Sequence, residues 1–282
     1  MKKYIVLVAG YDYNGGGTDF AYLAEKRRLF LLRENPAWAN DGNVIFVRFD
    51  AKTGKVQRNT SNGTSRKWSD EALAFDAVNR RQHYSGKVLK QEATNLLSIT
   101  DAYRYVINIG DTDPGSLHEF SILGHGWFGG PILLNSTQRP DYSAGQNLQL
   151  VRDPYDKDGR HKDFFPENMA IDDWIKFKAA FSPQGYCWVW GCVFTRVYFN
   201  TLHRVINSDS FKRKAFGTHA DDDEIVISVN ASFARTYYKN DIMFFPASTT
   251  EVTFNRTIGD LKAFLIRGLR RCYPGRLAAD TG

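Results

Sequence analysis

Two short apolar segments of the chain end in residues that can do nucleophilic chemistry. Phe120-Ser-Ile-Leu-Gly leads into His125 and Gly126, and Trp188-Val-Trp-Gly leads into Cys192. A thiol beside an imidazole is the minimum set for acyl transfer, in which the thiolate attacks a carbonyl carbon and the histidine moves the proton. If the two segments are neighbouring parallel strands, their carboxyl ends bring His125 and Cys192 to one rim of the sheet.

The surroundings of both residues suit that chemistry. Cys192 lies just before a predicted helix, whose unpaired N–H groups and dipole would stabilise a thiolate and lower the pKa of the thiol. Gly126 has no side chain, so a substrate carbonyl can approach its backbone closely. The N–H groups near Gly126 and Cys192 are therefore candidates for an oxyanion hole, each worth about 3 kcal/mol in the transition state.

Patterns typical of strands and helices alternate along the sequence, and the predicted elements must bring His125 and Cys192 together. The pattern predicts strands at 4–9, 43–49, 117–123, 186–190 and 224–229, and helices at 19–34, 166–181, 194–206 and 258–271. We expect residues 51–90 to form a surface excursion that contains a hairpin or a short helix. Residues 91–109 are expected to be partly helical, although 103–109 is ambiguous between helix and strand. Strands that alternate with helices predict an α/β fold with a central, mostly parallel sheet and helices on both faces.

The same pattern predicts how the chain is organised. We expect a single domain over 1–282, with a polar insertion at about 138–165 and a C-terminal helical extension from about 250. In the helix at 19–34, the expected apolar face carries Phe20, Leu23, Phe30 and Leu31.

The two strand ends resemble the caspase-like cysteine peptidases of clan CD, and the Gly-His-Gly form is nearest to the autoprocessing domains of bacterial toxins. The resemblance implies a caspase-like three-layer sandwich, with His125 as the catalytic histidine, Cys192 as the nucleophile and Gly126 as an oxyanion donor. It implies an endopeptidase that cleaves protein or peptide substrates, either a cytoplasmic protein or a bacterial effector or toxin delivered into a target cell without a cleavable signal peptide.

Composition and charge argue against several other classes of protein. The chain has 37 Lys and Arg against 31 Asp and Glu, a net charge of +6, and the basic residues are scattered among acidic ones. We therefore expect no nucleic-acid partner. No apolar run has the length of a membrane helix, so no membrane span is expected. Three cysteines provide neither a disulfide framework nor a zinc ribbon.

Several alternative interpretations stay open at this stage. Cys192 could be a small core residue, which leaves a caspase-like domain with an idle dyad that only binds a protein. Cys187 falls on the opposite face of the same strand and is expected to be structural. The glycine-rich segment 10–17 lacks the spacing of a dinucleotide fingerprint and is expected to form a loop over the catalytic rim. We expect no cofactor, with calcium at a solvated loop containing Asp153, Asp156, Asp158 and Gly159 as the minor alternative.

Overall fold

The computed structural model describes residues 2–13, 15–60, 68–71, 96–127, 130–136, 138, 141–142, 150–191, 196–231, 250–271, 273 and 277. The chain forms two compact units, Met1–Val193 with Cys272–Gly282, and Phe194–Arg271. The single-domain organisation predicted over 1–282 stays a prediction.

The first unit alternates strands and helices along the chain. Its described strands are β1 (Lys3–Ala9), β2 (Val44–Asp50), β3 (Lys55–Thr60), β4 (Ser69–Asp70), β5 (Leu117–Leu123), β6 (His125–Trp127), β7 (Gly130–Ile132) and β8 (Phe181–Trp190). Its described α-helices are α1 (Phe20–Glu34), α2 (Ile99–Thr112) and α3 (Ile171–Ala180), with 3-10 turns at Pro36–Asn40 and His161–Phe164.

Six of these strands form one sheet in the order β4-β3-β2-β1-β5-β8. The neighbours β2-β1, β1-β5 and β5-β8 are parallel, whereas β3 and β4 are added by antiparallel pairing. The predicted α/β class with a mostly parallel central sheet is therefore confirmed. Within 51–90, where a hairpin or short helix was expected, β3 and β4 pair antiparallel, and residues 61–67 and 72–90 lie outside the described residues.

Helices cover both faces of this sheet because its central strands are apolar on both sides. Ile5 and Leu7 of β1 pack with Phe20 and Ala24 of α1. Val6, on the opposite face, belongs to the larger core formed with α2 and α3. Burying one such aliphatic or aromatic side chain contributes about 1.5–3 kcal/mol. A strand with a continuous apolar run, such as β1, needs cover on both of its faces, and this explains why helices lie on both sides of the sheet.

Helix α1 begins directly after its N-cap residue, Asp19, and the set of residues that it buries differs from the predicted set. The side chain of Asp19 accepts a hydrogen bond from the Tyr22 N–H and caps the first turn. The buried positions are Phe20, Ala24, Arg28 and Leu31, while Leu23 and Phe30 are exposed. The predicted apolar face was therefore wrong at Leu23 and Phe30. The helix turns the small side chain of Ala24 against the sheet.

A buried ion pair ties α1 to the strands that carry the candidate site. Glu119 of β5 is fully buried and accepts hydrogen bonds from the Arg27 guanidinium at 2.8–3.2 Å. The Tyr186 hydroxyl of β8 donates to the same carboxylate at 2.7 Å. Burial, together with the nearby Glu119 charge, raises the pKa of Tyr186 to about 12. This cluster fixes β5 and β8 beside each other.

The predicted helix at 166–181 is shorter in the structure and starts later. α3 spans Ile171–Ala180, and Phe181 already belongs to β8. The ambiguous segment 103–109 is helical within α2, which is fastened by a capping box between Ser98 and Asp101.

The second unit is built around an antiparallel pair of strands. Its described elements are α4 (Arg196–Asn207), α5 (Asp209–Lys212), β9 (Glu224–Asn230), β10 (Glu251–Thr257) and α6 (Ile258–Arg271). Its core joins Val205 of α4, three residues of β9 (Ile225, Ile227 and Val229) and two of α6 (Ile258 and Leu261). The helix predicted at 258–271 is confirmed, but the helical extension expected from about 250 was wrong at its start, because residues 251–257 pair with β9 as strand β10.

After the second unit the chain returns to the first. Tyr273 is fully buried there, where its hydroxyl contacts that of Tyr103. Its ring packs beside Gly130 of β7 and beside Gly159, and a Cβ at either glycine would lie 3.2 Å from the Tyr273 ring. Tyr273 therefore packs against the β6-β7 hairpin at Gly130.

Candidate active site

β5, which precedes His125 in the sequence, and β8, which precedes Cys192, are neighbours, as the sequence interpretation required. β5 and β8 pair in parallel up to Leu123 and Trp190, and the Gly124 N–H donates to the Trp190 carbonyl at 3.3 Å. A Cβ at Gly191 would lie 2.6 Å from the Gly124 oxygen and 3.5 Å from the Gly126 nitrogen. The main chain of Gly191 is thus in direct contact with the Gly-His-Gly segment, and only glycine fits there.

Of the three cysteines, Cys187 is the one that the structure describes. Cys192, the predicted nucleophile, and Cys272 lie outside the described residues. Cys187 is half-buried on β8 and packs against the larger core of the first unit. The structural role predicted for Cys187 agrees with this packing.

His125 is held by a carboxylate that the sequence interpretation missed. Its Nε2 lies 2.8 Å from Oδ1 of Asp12, in the loop after β1. This hydrogen bond, more than any other interaction, lowers the pKa of Asp12 below the usual value for an aspartate. Because an ionised carboxylate can only accept, Nε2 of a neutral His125 carries the proton. That tautomer leaves Nδ1 with a lone pair that can take a proton from a thiol.

Two aromatic rings also contact the imidazole. Tyr13 and Phe20 meet it edge-on, with ring centroids 4.9 and 5.2 Å away. The second oxygen of Asp12 accepts a hydrogen bond from the Thr18 N–H at 2.9 Å, which closes the glycine-rich loop on itself. The loop expected over this rim therefore lies beside His125, and it carries Asp12 and Tyr13 to the imidazole.

Gly126 lies in the short β6-β7 hairpin beyond β5. Backbone contacts press this hairpin onto the sheet rim: a Cβ at Gly10 would lie 2.9 Å from the Ile132 oxygen, and one at Gly124 would lie 3.0 Å from it. The Tyr11 N–H also donates to the Leu133 carbonyl at 2.7 Å. Loops after β1 and β5 and the main chain after β8 thus converge at one rim, where an open α/β sheet places its ligands.

Three aspartates of the polar insertion are buried rather than solvated, which corrects the prediction for them. Asp153, Asp156 and Asp158 are at most 1% exposed. Arg160 forms an ion pair with Asp156, and Oδ1 of Asp158 accepts hydrogen bonds from the Leu133 and Leu134 N–H groups. These carboxylates are satisfied by arginine and backbone donors, so they brace the segment that follows the hairpin instead of facing water.

The calcium alternative gains nothing from these contacts. Across the described ranges, no group of three or more His, Cys, Asp or Glu side chains is arranged to hold a metal ion.

Among the helices that the structure describes, none is both long enough and apolar enough to cross a membrane.

No protein-family model, curated protein or solved structure matches this chain. The site therefore has to be interpreted from its own geometry.

Proposed function

We propose that the chain is a cysteine endopeptidase of the caspase-like type, in which Cys192 is the nucleophile and His125 its general base. The observation that carries the proposal is the contact of Gly191 with the Gly124-His125-Gly126 backbone. Cys192 follows Gly191 in the sequence, and this adjacency supports its assignment as the partner of His125.

The chemistry assigns a role to each group. Nδ1 of His125 would accept the Cys192 proton, and the thiolate would attack the carbonyl carbon of the scissile peptide bond. Asp12 would hold the ring in the correct tautomer and stabilise the imidazolium that forms. The Gly126 N–H would donate to the oxyanion of the tetrahedral intermediate. The imidazolium would then protonate the leaving amine, and water would hydrolyse the acyl-enzyme.

The architecture supports the caspase-like assignment in one respect. The family pattern requires the histidine strand and the cysteine strand to be neighbours in a mainly parallel sheet, and β5 and β8 meet that requirement. The Gly-His-Gly form extends the proposal to an effector or toxin protease of bacterial type.

The test is labelling with a set of peptide vinyl sulfones that differ in the residue before the reactive group, followed by mass mapping of the modified cysteine. We expect modification at Cys192, with loss in Cys192→Ala and a large decrease in His125→Ala. Cys187→Ala and Cys272→Ala serve as matched controls and should label normally. Labelling that favours Cys187 or Cys272, or proteolysis that survives in Cys192→Ala, would refute the proposal. A folded protein whose Cys192 reacts no faster than a free thiol would favour the idle, protein-binding alternative.

A further inference from the structure

A cavity of about 320 Å³ opens beside the hairpin that carries His125 and Gly126. Its walls include Trp127 of β6 and Ile132 of β7, and its polar side includes Gln138, Asp158 and Arg160. The catalytic scheme above uses none of these five residues.

The cavity lies on the same face of the hairpin as the imidazole. His125 pairs directly with Ile132 in the antiparallel β6-β7 register, and side chains of directly paired residues project from the same face. Trp127 is two residues beyond His125, so it shares that face at about 7 Å along the strand. One substrate side chain can span the distance from the reacting bond to this cavity.

The side of the scissile bond follows from proton transfer. In thiol acyl transfer the histidine gives its proton to the leaving amine, so that amine must lie next to the imidazole. The residue that follows the scissile bond is therefore on the His125 side, where the cavity is.

The charges around the cavity indicate the kind of side chain that fits. Arg160 is bound to Asp156 through Nε at 2.5 Å and Nη2 at 3.0 Å, whereas its nearest approach to the Asp158 carboxylate is 3.9 Å. Arg152 forms an ion pair with Asp163. Asp163 and Asp156 thus have Arg152 and Arg160 at hydrogen-bond distance, whereas the ion pair of Asp158 with Arg160 is longer, at 3.9 Å.

A second acceptor points to the same conclusion. Oε1 of Gln138 is buried and makes no hydrogen bond within the described part of the chain. An ammonium or guanidinium group satisfies such an acceptor together with a carboxylate, while its aliphatic stem packs against Ile132. The Arg160 guanidinium lies over the Trp127 ring, 5.2 Å from its centroid.

We propose that this cavity binds the side chain of the substrate residue immediately after the scissile bond, and that it selects lysine or arginine through Asp158 and Gln138. The subsite role rests on the proposed peptidase function. The affinity of the cavity for a basic side chain does not.

The first test measures binding without catalysis. The full chain, labelled with 5-fluorotryptophan and assigned with Trp127→Phe, is titrated with lysinamide, argininamide and norleucinamide, each of which resembles the released amine product. We expect the two basic amides to shift the Trp127 signal and to bind about 10- to 100-fold more tightly than norleucinamide, the range for one charge-assisted hydrogen bond. Equal binding of the three amides would overturn the proposal.

Asp158→Asn provides a matched variant, because an asparagine Oδ1 still accepts from the Leu133 and Leu134 N–H groups. It should bind lysinamide no better than norleucinamide. Asp153→Asn changes a buried carboxyl of the same segment that does not line the cavity, and it should keep the wild-type preference. A preference that survives in Asp158→Asn, or is lost equally in Asp153→Asn, would contradict the assignment of Asp158.

The second test maps cleavage sites in a library of proteome-derived peptides, with the Cys192→Ala digest as background. We expect lysine and arginine to be enriched at the first position after the cut, and the enrichment to disappear in Asp158→Asn. Cleavage that depends on Cys192 but lacks this enrichment would refute the subsite alone. Binding of basic amides without any Cys192-dependent cleavage would refute the peptidase function and, with it, the subsite role.

Discussion

Oδ1 of Asp12 accepts a 2.8 Å hydrogen bond from Nε2 of His125, although 113 residues separate the two in the chain. The pair joins the loop after β1 to the end of β5, and β1 and β5 are neighbours in the sheet. His125, Asp12 and the end of β8 therefore share one rim of the sheet.

Asp12→Asn should lower the reactivity of Cys192 without unfolding the protein. An asparagine amide can donate to Nε2 and favour the tautomer that places the proton on Nδ1, which removes the base. We expect the rate of Cys192 alkylation by a peptide vinyl sulfone at pH 7 to fall by about 100-fold or more.

The control for this prediction is Asp113→Asn. Asp113 contacts Lys2 and the Tyr4 hydroxyl, and it is not part of the rim. The variant should label at the wild-type rate. An Asp12→Asn protein that labels as fast as Asp113→Asn would show that the carboxylate does not orient the base.

Gly191→Ala should separate the end of β8 from the Gly-His-Gly segment. The added Cβ would lie 2.6 Å from the Gly124 oxygen, a backbone atom that cannot rotate away. We expect a loss of about 1–3 kcal/mol in the free energy of unfolding and a decrease in Cys192 labelling. Gly42→Ala is the matched control, because a Cβ there meets no atom within 4 Å. Chemical denaturation and labelling of both variants check this, and an unaltered Gly191→Ala protein would argue against the close approach.

Replacing a residue of the Arg27-Glu119-Tyr186 cluster should lower the free energy of unfolding, and the loss should be larger when the substitution leaves a charged group without its partner. Tyr186→Phe removes hydroxyl hydrogen bonds to Glu119 and Arg27 and should cost about 1–3 kcal/mol. Glu119→Gln leaves Arg27 without its carboxylate and should cost about 3–5 kcal/mol. The exposed Tyr22 gives the control Tyr22→Phe, for which we expect no change. Urea unfolding measures all three, and equal stability of Tyr186→Phe and Tyr22→Phe would contradict the prediction.

Asp158 should make stability depend on pH. Burial, and then the negative charge of Asp156, raises the pKa of Asp158 to about 6, although Arg160 and two backbone N–H groups oppose the shift. Since this pKa lies above that of the unfolded chain, the folded state holds the proton more tightly. The contribution of this group to stability is complete at low pH and is lost as the pH rises through about 6.

The comparison of wild type with Asp158→Asn isolates that contribution. Between about pH 4 and pH 8 their difference in free energy of unfolding should move by up to about 3 kcal/mol in favour of the variant. Asp172→Asn changes an exposed carboxyl on α3, and its difference from wild type should stay constant. A pH-independent difference for Asp158→Asn would show that Asp158 titrates as an ordinary aspartate.

The sequence by itself determined the sheet and the strand ends. The continuous apolar run 4–9 and the largely apolar run 117–123 predict buried strands, and the glycines at 124 and 191 mark where β5 and β8 end. The alternation with helices then made parallel neighbours the simplest arrangement, and the structure agrees.

The tertiary structure decided which distant side chains meet. No local pattern in the segment 10–17 distinguishes Asp12 from any loop aspartate, because its partner His125 is reached only when β1 and β5 pair. The aspartates of the insertion looked solvated for the same reason: a charged residue is placed in the interior only when its partners, here Arg160 and the backbone of Leu133 and Leu134, arrive from elsewhere in the chain. Periodicity and turn residues are local signals, whereas ion pairing between remote segments is a property of the folded chain alone.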